Sequence, residues 1–195
     1  MRNADFRIIA QRVLRDWGFD VRVKSGRGYL PGARLVVVRA GKEKKVAVKA
    51  SQERVVSFTR QPDQSWRTLR VVDLVVAVVP GDENPEEADV YAFEKKALIR
   101  VFDRAWRELE KAGRPIGFNI PVFIPLDEVS RKNVGHNVGN LKRHASPPVH
   151  LSAEQLAELL ARDEDNYIDA FRRRFAAENG VEIGQVAISI VGETK

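Results

Sequence analysis

The stretch Lys45-Val46-Ala47-Val48-Lys49-Ala50-Ser51 reads as a strand that ends on a lysine. Just upstream, Pro31-Gly32-Ala33-Arg34-Leu35-Val36-Val37-Val38 carries a second strand. The continuous valine-rich run over 33–39 fits a strand covered on both faces. Gly41-Lys42-Glu43-Lys44 makes a polar turn between the two, so they pair as a hairpin. Before them, Phe6, Ile9, Val13, Leu14 and Trp17 recur at helical spacing behind Asn3, a good N-cap, and Gly18 closes the helix over 4–17. Phe19 to Lys24 is a short alternating strand, followed by turns at Ser25-Gly26-Arg27-Gly28 and Pro31-Gly32.

Downstream, Val55-Val56-Ser57-Phe58 is another short strand, and Arg60 to Trp66 is a loop. Val71 to Val79 is the strongest strand signal in the chain, apolar except for Asp73. An exposed Pro80–Pro85 loop leads to a short strand at Val90–Phe93. From Glu94 the apolar positions Leu98, Val101, Phe102, Ala105, Trp106 and Leu109 mark a helix ending near Gly113, with a strand at Pro121–Leu126 beyond it. Residues 130–150 hold all three histidines and read as a loop or linker. Ser152-Ala153-Glu154-Gln155 has the form of a capping box for a helix with Leu156, Leu159 and Leu160. A second helix through Tyr167 and Phe175, then a strand at Val186–Val191, complete the pattern.

This order of helix, Gly18-Phe19-Asp20-Val21, hairpin and strand-end lysine resembles the PD-(D/E)XK restriction-endonuclease superfamily, and within it the Mrr-type core. The likeness covers about residues 4–79. It implies an α/β fold with a mixed central sheet flanked by helices: a core over 1–129, a loop or linker over 130–150, and a helix-helix-strand unit over 151–195 packed on the core. In that family an acid on each of two adjacent strands holds a divalent metal, and a lysine two residues beyond the second acid assists. Lys49 matches the lysine, whereas Arg34 and Ala47 stand where the acids belong. An arginine there repels Mg2+ or Mn2+, which prefer carboxylate oxygen. The resemblance therefore implies a nuclease scaffold without its metal ligands, and no cofactor unless nuclease activity survives through a relocated acid.

Asp73 is the best candidate for such an acid, since a charge in an apolar strand needs a partner; the alternative is an ion pair with a lysine or arginine at the strand's entrance. Lys49 and Asp73 are thus the candidate catalytic pair. Asp20, Glu43 and Glu53 sit near turns and are weaker choices.

Charge points the same way. Residues 1–60 hold 15 Lys and Arg against 5 Asp and Glu, and the remainder holds 18 against 22. A basic first third on an acidic remainder suits a phosphate backbone. The candidate contacts are Arg34, Lys49, Arg54 and Arg60, on DNA in preference to RNA, with Trp66 beside Arg67 and Arg70 as an aromatic that either stacks on bases or covers the core edge. The basic residues Arg131, Lys132, Lys142 and Arg143 form a further run. His136, His144 and His150 lack the spacing of a zinc site, and with no cysteine there is neither disulfide nor thiolate ligand. There is no Walker lysine and no Gly-x-Ser-x-Gly elbow, and Gly26-Arg27-Gly28 lacks the setting of a dinucleotide fingerprint. No apolar run nears the ~20 residues that cross a bilayer, and the N-terminus has no apolar leader core, so the chain reads as cytoplasmic. The reading is a catalytically inactive nuclease-like protein that binds nucleic acid. Its alternatives are a protein-interaction module and a metal-dependent endonuclease with a relocated acid.

Overall fold

The computed structural model describes residues 3–23, 35–113, 117–127 and 140–161, with 175, 176, 180–182 and 184. Met1–Ala153 forms one compact unit and Glu154–Lys195 another. The first opens with helix α1 (Asn3–Asp16), which buries Phe6, Ile9, Ala10, Val13 and Leu14 on one side. Gly18 ends it at φ 81°, a left-handed turn that costs glycine little.

Strands follow in the order β1 (Asp20–Val23), β2 (Leu35–Arg39), β3 (Lys42–Ala50), β4 (Val55–Thr59), β5 (Leu74–Pro80) and β6 (Ala88–Glu94). Helix α2 (Lys95–Lys111), β7 (Pro121–Pro125) and β8 (Val149–Leu151) complete the unit. The fold is mixed α/β, as expected. Six strands form one sheet in the order β1-β2-β3-β5-β6-β8, in which β3 and β5 run parallel and every other neighbour is antiparallel. The expected hairpin is β2–β3, joined by Ala40 and Gly41 at φ 50° and 74°. Positive φ at both central residues gives a turn whose twist matches that of paired strands.

Parallel neighbours need a crossover, and between β3 and β5 it contains no α-helix, only a 3-10 turn at Leu69–Val71 besides a strand. That strand is β4, which leaves the main sheet and pairs with β7 as a separate two-stranded sheet. Residues 140–150, read from sequence as loop, contain a 3-10 turn at Leu141–His144 and the start of the edge strand β8. Three residues are too few to leave a period in the sequence.

Side chains alternate across a strand. Ala47, Val75, Ala77, Val79, Tyr91 and Phe93 face one core, with β4, β7 and the apolar stripe of α2. Phe102 centres it, edge-on to Phe58 at 5.0 Å and to Trp66 at 5.3 Å between centroids. Val46, Leu74, Val76 and Val78 point to the opposite face, where α1 packs on β3 and β5. In the second unit, 154–161 continues a helix that begins at 153, with Leu156 buried. Of the second helix expected there only Phe175 and Ala176 are described, both helical, while the expected strand and the segment 128–139 lie outside the described residues.

Candidate nucleic-acid interface

Lys49 lies near the C-terminal end of β3, opposite Ala77 of β5. Its ammonium sits 4.7 Å from the centroid of the Phe58 ring, a cation–π contact. Burial holds its pKa below the ordinary lysine value. Two residues earlier on the same face, Ala47 is fully buried against Val75 in the main core. A carboxylate at 47 would stand among buried apolar side chains, where its charge is costly. Arg34 falls outside the described residues.

Asp73 precedes β5 and is exposed. It exchanges hydrogen bonds with Lys45: the Lys45 amide donates to its Oδ2 at 2.9 Å, and the Asp73 amide donates to the Lys45 carbonyl at 2.8 Å. The partner is therefore backbone rather than a basic side chain. Lys49 is four residues further along β3, about 13 Å at ~3.3 Å per residue. Lys49 and Asp73 are not brought together. Among the described residues no group of three His, Asp or Glu side chains is placed to hold a metal.

Arg54 and Arg60 are both engaged inside the fold. Arg54 adopts φ 54° in the turn after β3, and the Ser51 hydroxyl accepts from the Val55 amide to shape that turn. Its guanidinium is a hub: Nε meets Asp127 at 2.6 Å, Nη1 meets Asp89 at 2.8 Å, Nη2 donates to the Tyr91 hydroxyl at 3.2 Å, and Nη1 also donates to the Pro80 carbonyl. Burial opposes its charge, but hydrogen bonds to Asp127 and Asp89 outweigh that and hold its pKa above the ordinary value. Burial also pulls Asp127 upward, yet Arg54 and Lys142 hold it below the usual carboxylate range. His150 of β8 places Nδ1 2.9 Å from Asp89 and Nε2 3.2 Å from Glu87, and the Asp89 bond raises its pKa. Gly81 permits the tight loop that presents Asp82 and Glu87, since a Cβ there would stand 2.6 Å from the Asn84 carbonyl oxygen.

Arg60 pairs with Asp103 of α2 and lies over both Trp66 and Trp106, 4.9 and 5.7 Å from their centroids. Trp66 is 3% exposed and donates its indole N–H to Asp103 at 3.0 Å, so of its two sequence readings it takes the core one.

A different basic surface stands open. The start of β3 and the start of α2 enclose a shallow groove of about 720 Å³ lined by Lys42, Lys44, Lys95 and Lys96 with Glu43, Asp73 and Glu94. Lys44 pairs with Glu94 at 2.9 Å, and Lys95 donates to the Arg70 carbonyl at 3.3 Å. Lys45 is exposed on the same hairpin. Composition foretold a basic first third but not that two lysines of α2 would join it. Nor did it reveal Asp89 and Asp127 as the partners of Arg54; the usable signal was Asp89, a charge beginning an apolar strand.

No protein-family model and no curated protein matches the sequence. Among solved structures, the chain is similar to a bacterial homing endonuclease, I-Ssp6803I, at 17% identity and a TM-score of 0.39, over 67% of this chain and 79% of that one. A likeness that distant carries no functional weight.

Proposed function

We propose that this protein is a nuclease-like fold that binds DNA through the lysines of β3 and α2 and does not cut it. The observation that carries the reading is the filled position at Ala47. The motif lysine is retained, but the place of its neighbouring acid is occupied by core, while cationic side chains gather on the open groove nearby. Lys42, Lys45, Lys95 and Lys96 are assigned to phosphate, with Lys49 as a further contact. Arg54 and Arg60 are assigned to internal ion pairing.

The test is equilibrium binding of a fluorescent DNA duplex across a salt series with Mg2+ or Mn2+ present, the duplex being checked for cuts afterwards. Five phosphate contacts, the four lysines together with Lys49, correspond to a log–log slope of about −4.5. Steep salt dependence with intact duplex is the expected result. No binding at low salt overturns the reading in favour of a protein-interaction module. Metal-dependent cutting that disappears in both Lys49→Ala and Asp73→Ala overturns it in favour of an endonuclease with a relocated acid.

A further inference from the structure

A second cleft, of about 460 Å³, lies between the turn at Gln64 and the outer side of α2, away from the lysine groove. Its volume falls in the ~300–1,000 Å³ range of sites for small organic groups. One wall is aromatic. Phe118 lies nearly parallel to Trp106, with centroids 5.9 Å apart and planes 15° apart, and Phe118 remains 48% exposed. Its ring is thus held against the indole and about half exposed.

The polar groups of the cleft are engaged to different degrees, the two carboxylates each through one oxygen. Asp103 is taken by Arg60 and by the Trp66 indole. Glu110 accepts the Trp106 indole N–H at 2.8 Å. Arg107 donates Nε to the Asp103 carbonyl at 3.2 Å, and its other guanidinium nitrogens have no partner among the described residues. Gln64, held at φ 62° in its turn, likewise leaves its side-chain amide without a partner among them. A half-exposed aromatic ring, a cation beside it and a two-way hydrogen-bonding amide are the elements that recognise a nucleobase: a ring to stack on, a charge for its phosphate and an edge to read.

We propose that this cleft binds a nucleobase on Phe118, presented by an unpaired strand or by a free nucleotide, with Arg107 on the phosphate and Gln64 on the base edge. The proposal extends the nucleic-acid reading above and rests on it.

Trp106 and Trp66 beside the cleft supply the readout. Intrinsic fluorescence is titrated with oligothymidylate, with thymidine monophosphate and with duplex DNA. Saturable quenching by the oligonucleotide, weakened about 5- to 150-fold by Phe118→Ala and restored by Phe118→Tyr, is the expected result, from a stacking contribution of ~1–3 kcal/mol per base. An unchanged melting temperature for Phe118→Ala, together with unchanged duplex affinity, separates this site from the lysine groove and from misfolding. Monophosphate quenching as strong as the strand's makes the source a free nucleotide; quenching by the strand alone makes it single-stranded nucleic acid. Oligonucleotide binding that ignores Phe118, or no quenching while the duplex still binds, overturns the cleft and leaves the duplex reading standing. If neither strand nor duplex binds, both fall.

Discussion

Replacing Arg54 by methionine removes the guanidinium but retains most of the buried stem. Arg54 and Asp89 are buried at 14% and 13% side-chain exposure, and Asp127 is at 21%. Loss of the cation leaves the carboxylates of Asp82, Asp89 and Asp127 with, among the described residues, Lys142 and His150 as counter-charges. Breaking a buried ionic cluster by removing one partner costs ~3–5 kcal/mol. For a chain of this length each kcal/mol moves the melting temperature by roughly 2–4 °C, so the variant is expected to melt about 6–20 °C lower at pH 7. The pH dependence gives a sharper check. Asp127 is held below its ordinary pKa, so its contribution is complete above the unfolded value of about 3.9 and is lost as pH falls through the lowered folded value. The gap between wild type and variant is therefore widest at neutral pH and narrows in acid. Thermal melts by circular dichroism between pH 7 and pH 3 measure both. A loss below ~1 kcal/mol at pH 7, or a gap that does not shrink in acid, refutes the account of Arg54 as an internal hub.

Three further outcomes follow from the same geometry. Ala47→Glu restores the motif acid in a fully buried place, so it is expected to destabilise by ~3–5 kcal/mol and to yield no metal-dependent cutting, measured by denaturant unfolding and a plasmid nicking assay. Lys49→Met keeps the contact with Phe58 and removes a desolvated charge. Because the folded pKa lies below the unfolded ~10.4, wild-type stability rises as pH climbs through that window while the variant stays flat, and the slope of duplex binding falls by roughly one unit. His150 titrates above its ordinary ~6.5, so its tie between β8 and β6 is complete below that value and lost as pH rises through the raised one; an NMR titration in which Asp89→Asn leaves the pKa unmoved contradicts this.

The long periodic elements were legible in the sequence. The apolar spacing of α1 and α2, the valine runs of β2 and β5, and the β2–β3 hairpin all carry local signals that folding preserves. What escaped was non-local. Val55–Phe58 was readable as a strand, but nothing in it says that it abandons the main sheet for β7. The parallel register of β3 with β5 sets Asp73 beside Lys45 instead of Lys49, and register is decided by packing across many residues. Arg54 and Arg60 looked like surface cations because their carboxylates lie 35 and 43 positions away. Phe118 gave no signal, since exposure of a lone aromatic depends on what packs around it.

The pairing of β4 with β7 joins Val55 to Pro125. During synthesis a chain that has emerged only as far as α2 already holds β3, β5 and β6 but lacks the strand that covers Phe58. About 70 residues must be made before that pair can close. The nascent protein thus carries an unpaired edge beside an open aromatic core for several seconds at ~5–20 residues per second. That interval, rather than the finished fold, is when a chaperone or a neighbouring chain has access to its interior.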